Sequence, residues 1–214
     1  MGVLYISAIK RNSGKTTISI AITRLLVNSG LTVQPFKKGP DFIDPIWLSV
    51  AAKRKCFNLD FFSLDKEKLL IYFNRKSFSS DISIIEGNHG LFDDINLYGG
   101  TDNATLSKLL KSQIILVLDV KEMGRSIVPI IIGCIDFDKE MSIAGVILNR
   151  VQNERHKNKL VDSINYYTDL PVVAAIPEDE ETTIPMRHLG LTATADDKKM
   201  EEHIDKITKK LGCF

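Results

Sequence analysis

Five apolar runs, each about the length of a strand, recur along the 214-residue chain and restrict what it can fold into. They are Val3-Leu4-Tyr5-Ile6, Ile82-Ser83-Ile84-Ile85, Ile114-Ile115-Leu116-Val117-Leu118, Ala144-Gly145-Val146-Ile147-Leu148 and Val172-Val173-Ala174-Ala175-Ile176. Strands that are apolar on both faces belong to parallel sheets covered twice. Helix-period segments separate them, at residues 15–29, 65–75, 104–110, 127–134 and 154–167. The fourth contains Pro129, which a first turn tolerates. A shorter strand at 32–36 and helices at 46–53 and 198–211 complete the pattern. The expected architecture is α/β, a three-layer parallel sheet with helices on both faces. Right-handed crossovers then bring the strand-end loops to one edge, so Lys15, Lys37, Asp41, Glu86 and Asn149 should converge. No repeat, low-complexity segment or linker interrupts the chain, which reads as one domain over 1–214.

The first apolar run leads into Ser7-Ala8-Ile9-Lys10-Arg11-Asn12-Ser13-Gly14-Lys15-Thr16-Thr17, and a helical pattern begins there. Strand, tight loop, Gly-Lys-Thr and helix are the setting of a phosphate-binding loop of P-loop NTPase type. Backbone N–H groups from Ser13 to Thr17 and the helix N-terminus make an anion cradle. Lys15 is placed to reach the β- and γ-phosphates of ATP, and the Thr16 hydroxyl to bind Mg²⁺. The full pattern asks for Gly where Ile9 stands. The loop also lacks the Lys-Gly-Gly opening of partitioning ATPases, so Lys10 is not read as their signature lysine.

Further candidates lie at two other strand ends. Lys37-Lys38-Gly39-Pro40-Asp41-Phe42-Ile43-Asp44-Pro45 has two lysines and two carboxylates in a segment that proline and glycine keep irregular. Two readings stay open: the group holds a phosphoryl and a metal, or it is a solvated turn whose aspartates cap the next helix. Glu86 ends a buried strand, where open α/β sheets bind their ligands. It is a candidate to bind Mg²⁺ or position a reacting group. Asn88-His89-Gly90-Leu91-Phe92-Asp93-Asp94 follows, with His89 read as a loop residue.

Composition removes several classes. A net charge of +1 gives no electrostatic reason for nucleic acid or an anionic membrane as partner. No apolar run approaches the length of a membrane span, and the chain reads as cytoplasmic. Cys56, Cys134 and Cys213 have the spacing of neither a disulfide framework nor a zinc site.

Several strings taken together resemble a known family. These are Pro35 to Pro45, Asn58-Leu59-Asp60, Glu86-Gly87 with Gly90-Leu91-Phe92-Asp93, Gly145 to Arg150, and Arg187-His188-Leu189-Gly190-Leu191. They are similar, in order and over nearly the whole chain, to the amino-terminal ATP-dependent amidoligase domain of cobyrinic acid a,c-diamide synthases, a dethiobiotin synthetase-like fold. Glu86-Gly87-Asn88-His89-Gly90-Leu91 and the segment 132–138 look closer to the anaerobic, sirohaem-amidating branch.

The resemblance implies that ATP phosphorylates a peripheral carboxylate of a corrinoid or related tetrapyrrole and that ammonia displaces the phosphate. It implies that Ser13, Gly14, Lys15, Thr16 and Thr17 bind phosphates, and that Thr16, Asp41 and Glu86 hold Mg²⁺. Lys37 would neutralise the transferring phosphoryl group, Asp93 orient the substrate, and Asn149 read the adenine edge. A homodimer is expected by the same likeness.

Phe42 and Phe92 stand where the family often has Tyr, and Asp94 where it often has Gly. A carboxy-terminal glutaminase domain is expected to be absent, so a separate subunit would supply ammonia, free ammonia would be used, or the chain is one domain of a longer protein. Three other readings fit the scaffold: a dethiobiotin synthetase-like carboxylase, a nucleotide-switch or partitioning ATPase, and, since Ile9 departs from the loop pattern, a binding protein without catalysis.

Overall fold

The computed structural model describes residues 2–179 and 197–211. The Arg187 to Leu191 string, Cys213 and the second half of the acidic segment Glu178 to Glu181 lie outside the described residues.

Seven strands form one sheet: β1 (Gly2–Ala8), β2 (Val33–Lys38), β3 (Phe57–Leu59), β4 (Ile82–Glu86), β5 (Gln113–Asp119), β6 (Ser142–Val151) and β7 (Val172–Pro177). Their order is β3-β2-β4-β1-β5-β6-β7, and every pairing is parallel. The fold is that of a P-loop NTPase. The sequence did not announce β3, since three residues at a sheet edge are too short for a periodic signal.

The helices are α1 (Lys15–Asn28), α2 (Asp44–Ala52), α3 (Lys66–Ser77), α4 (Asn103–Leu109), α5 (Ile127–Phe137), α6 (Glu154–Tyr167) and α7 (Asp197–Leu211). Side chains alternate across the pleat, so neighbouring strand residues enter different cores. Tyr5, Ile85, Leu116 and Leu118 pack with Leu69 and Phe73 of α3, Leu106 of α4, Ile131 of α5 and Leu160 of α6. Ile6, Ile84, Ile115 and Val117 pack instead with Ile18 of α1. Outside α1, the side chains of Trp47 and Leu48 from α2 and of Ile204 and Ile207 from α7 make a further cluster with Ile20. Helices therefore cover both faces, as the uninterrupted apolar runs require.

In β1 and β4, Ile6 pairs with Glu86, and in β2 and β4, Lys37 pairs with Glu86. This register sets the phosphate loop, Lys37 and Glu86 side by side along one edge of the sheet.

Candidate active site

The phosphate loop begins where β1 ends and closes at Gly14, whose φ of 91° is left-handed. Glycine is required there twice over, because a Cβ would also lie 2.2 Å from Nδ2 of Asn149. That amide nitrogen donates to the carbonyl of Ser13 at 2.9 Å, so the end of β6 braces the loop. Ser13 Oγ donates back to the Lys10 carbonyl at 3.0 Å.

Lys15 is buried, and its Nζ donates to the carbonyls of His89 (2.7 Å) and Lys10 (3.3 Å). Burial lowers its pKa to about 8; Glu86 pulls the other way and Lys37 adds to the fall. Beside it, the Thr16 hydroxyl donates to Glu86 Oε1 at 2.6 Å. Lys37 Nζ bridges Glu86 Oε1 at 2.9 Å and Asp44 Oδ2 at 2.6 Å. Burial works against the Lys37 ammonium, but the two carboxylates more than reverse it, and Lys37 is held charged. Glu86 is fully buried and its pKa is raised by that burial, with Lys37 and Thr16 working against the rise.

Of the residues expected to converge, Lys15, Lys37 and Glu86 meet here beside Thr16, and Asn149 lines the same cavity while bracing the phosphate loop. Asp41 does not join it. Its Oδ1 accepts from the backbone N–H groups of Ile43 (2.9 Å) and Asp44 (3.1 Å) at the start of α2. Asp44 reaches Lys37 instead, and Thr16 Oγ1 lies 3.5 Å from its Oδ2. The two readings of this segment thus divide between its two aspartates. Asp93 also turns inward on its own loop, where its Oδ2 accepts from the Gly90 N–H at 2.7 Å.

The donor set suits a hard divalent cation. Glu86 Oε2 is buried with no hydrogen-bond partner. With the Thr16 hydroxyl and Asp44 it offers only oxygen, the ligand type Mg²⁺ takes, usually with one or two carboxylates and the rest from phosphates and water.

Around the cluster is an open cavity of about 950 Å³, lined by the phosphate loop, the β2–α2 connection, the β4–α4 connection and the ends of β6 and β7. Asp41, Lys38, Arg11 and His89 line it as well.

Residues 4–191 match the family model described as CobQ/CobB/MinD/ParA nucleotide binding domain. The chain belongs to this family. A cobyrinate a,c-diamide synthase of Magnetococcus marinus is 41% identical over 213 residues, covering 94% of this chain and 46% of that protein. One from Picrophilus torridus is 42% identical over 206 residues, covering 95% of this chain and 46% of the relative. The chain thus spans less than half the length of the curated relatives it matches. Among solved structures, the septum site-determining protein MinD of Pyrococcus horikoshii, complexed with Mg-ADP, superposes with a TM-score of 0.58 at 17% identity, covering 97% of this chain and 94% of that one. Chloroplast FtsY from Physcomitrella patens gives 0.59 at 18%, covering 95% and 65%. At these identities the likeness is one of fold.

Within this nucleotide-binding family scaffold, three parts of the site escaped the sequence reading. Asp44 was visible only as one of two carboxylates. Asn103, fully buried, accepts from the Tyr5 hydroxyl at 2.9 Å and donates to the carbonyls of Asn88 (2.8 Å) and Gly90 (2.7 Å). It clamps the carbonyls on either side of His89, whose own carbonyl holds Lys15. Asp119, at the end of β5, pairs with Arg150 and with Lys10 (3.1 Å), and tethers the front of the phosphate loop. No local motif marks the latter two groups, because each is made by residues far apart in sequence.

Proposed function

We propose that this chain is the ATP-dependent amidoligase part of a cobyrinate a,c-diamide synthase-type enzyme. It would phosphorylate a peripheral carboxylate of a corrinoid or related tetrapyrrole with ATP, and ammonia would displace phosphate from the acyl phosphate to give the amide. The reading rests on one observation above others. A chain about 40% identical to such synthases over nine-tenths of its length carries Lys15, Thr16, Lys37, Asp44 and Glu86 in one cavity.

In this reading the N–H groups of Ser13, Gly14, Lys15, Thr16 and Thr17 bind the phosphates. Thr16, Glu86 and Asp44 would hold Mg²⁺, which when bound neutralises charge on the β- and γ-phosphates. Lys15, which donates to the His89 and Lys10 carbonyls, would turn to the β- and γ-phosphates, and Lys37, kept charged by two carboxylates, would face the oxygens that gain charge in transfer. Asp41 lines the cavity while fixing the start of α2, and Asp93 shapes the loop that bears His89. Asn149 spends its amide N–H on Ser13 and has its carbonyl oxygen left for the adenine amino group.

Ammonia, free or supplied by a glutaminase subunit or domain outside this chain, is the nucleophile. Burial pushes the thiols of both Cys56 and Cys134 up, which disfavours the thiolate that glutamine hydrolysis needs. Two copies would pair across the strand-end loops, where Phe42, Ile95, Leu97 and Tyr98 are each at least 82% exposed. No described helix is long and apolar enough to cross a membrane.

The test is to incubate the chain with Mg-ATP, cobyrinic acid and either ammonium or glutamine, and to follow phosphate release and amide mass. Ammonium should support amidation and glutamine should not. Lys15→Ala should lower the rate by about a hundredfold or more while leaving the fold intact. No corrinoid-dependent phosphate release, or an undiminished rate in Lys15→Ala, would overturn the proposal.

A further inference from the structure

Successive residues of β2 point to opposite faces of the sheet, and the two lysines at its end have different surroundings. Lys37 is paired with two carboxylates. Lys38 is only 7% exposed, yet among the described residues no carboxylate lies within ion-pair distance of it, and its one hydrogen bond runs to Asn88 Oδ1 at 3.1 Å. An ammonium carries three N–H donors, so its hydrogen-bonding capacity is largely unused. Asp102, Asp94 and Asp60 act on it as more distant charges, and burial outweighs them to lower its pKa.

The same wall of the cavity contains further unused donors. The Asn88 side-chain nitrogen has no acceptor among the described residues, and Arg11 reaches only the ring nitrogens of His89. Burial lowers the His89 pKa, and the charges of Arg11, Lys38 and Lys15 add to the fall while Asp93 opposes it. Lys38 is a buried cation without a paired anion, which is unfavourable, and with half-buried Asn88 and exposed Arg11 on the same cavity its donors are complementary to an anionic ligand.

We propose that Lys38, Asn88 and Arg11 form a carboxylate subsite, distinct from the phosphate cradle, that holds a substrate carboxylate other than the one activated beside Lys37. This rests on the amidation reading above. Phosphate has its own site in the backbone of Gly14 to Thr17, which lines the same cavity. The substrate class that follows is a polycarboxylic acid with at least two free carboxylates within one molecule. An analogue amidated at all but one position should therefore bind weakly.

The experiment measures equilibrium binding of cobyrinic acid, and of cobyric acid, in which all but one carboxylate are amides, by corrinoid absorbance. Wild type, Lys38→Met, Lys38→Arg and Arg11→Gln are compared with a non-hydrolysable ATP analogue present. Nucleotide affinity and ammonium-dependent amidation are measured on the same preparations. Lys38→Met should weaken cobyrinic acid binding by about tenfold or more, the scale of a lost charge-assisted hydrogen bond. Lys38→Arg should retain most of the affinity, Arg11→Gln should lose part of it, and nucleotide affinity should hold in Lys38→Met.

Unchanged corrinoid affinity in a folded Lys38→Met would overturn the subsite and leave the amidation reading standing. A parallel fall in nucleotide affinity would overturn it too, since the anion would then be a phosphate. Should Lys38→Met fail to fold, undiminished binding in Arg11→Gln, or equal binding of the two corrinoids by wild type, would overturn it. Wild type that binds cobyrinic acid without amidating it, and loses it on Lys38→Met, would overturn the amidation reading and keep the subsite. Wild type that binds no corrinoid acid would overturn both.

Discussion

At the scale of single residues, Lys15 has the most to report. Its folded pKa of about 8 stands below the ordinary lysine value because burial disfavours the charge. Below pH 8 the buried ammonium opposes folding in full. Between pH 8 and the ordinary value, the unfolded chain binds a proton that the folded one does not, so stability rises with pH through that window. Phosphate reverses the preference by favouring the ammonium, so nucleotide should bind with proton uptake on the alkaline side. Calorimetric titration with ADP in buffers of different ionisation enthalpy should show little uptake near pH 7 and a clear fraction of a proton at about pH 9. Lys15→Met should abolish the difference. Equal proton uptake at both pH values in wild type would exclude Lys15 as the titrating group.

At the scale of elements, the connection from β2 to α2 does two jobs with two aspartates. Asp41 fixes the helix start through two backbone amides, and Asp44, three residues on, turns into the cluster. Asp41→Asn keeps an acceptor oxygen, so it should cost about 1 kcal/mol or less of stability and leave turnover largely intact. Asp44→Asn removes a charge that holds Lys37 and a candidate metal oxygen. It should lower turnover far more, by about tenfold to a hundredfold, with little change in unfolding midpoint. Paired kinetics and urea melts decide it: a larger kinetic loss in Asp41→Asn would restore Asp41 to the metal set. The β4–α4 connection is built on the same plan. Gly90 admits no Cβ, which would lie 2.3 Å from the Ile9 carbonyl, and Asn103 clamps the carbonyls flanking His89. Two loops that meet this closely behave as one unit.

At the scale of the whole molecule, α7 lies against α1 and α2 through Ile204 and Ile207, both fully buried, and Arg24 of α1 reaches Glu201 and Asp205. The far end of α7 returns to the cavity wall at Leu211. Exposed apolar side chains on the helices, such as Ile71 of α3, Phe137 of α5 and Tyr166 of α6, are spread over different elements, whereas Phe42, Ile95, Leu97 and Tyr98 share the strand-end loops. A proposed two-fold partner on that edge would cover them and close the cleft. Light scattering of the chain at micromolar concentration should return twice the monomer mass, and Tyr98→Glu should halve it. A fully active monomer would remove the dimer from the proposal.

The local chemistry was legible in the amino-acid order. Apolar runs without a polar face required a parallel sheet buried on both sides. The strand, Gly-Lys-Thr and helix succession required a phosphate loop at one strand end. Lys37 and Glu86 were legible as neighbours because strand ends in such a sheet share an edge, though not as an ion pair. Helix limits came within a few residues for the same reason, since periodicity and end signals are local. What only the tertiary structure decided was the division of labour between near neighbours. Asp41 and Asp44 have the same side chain in the same loop, and only the start of α2 determines which one the backbone amides claim. Lys37 and Lys38 are adjacent and identical, and the pleat sends one to two carboxylates and the other to a wall of unmatched donors. Asn103, Asp119 and Arg150 gained their roles from residues about 13 to 138 positions away. Sequence spacing encodes a side chain's local direction; its partner depends on which chains the fold brings beside it.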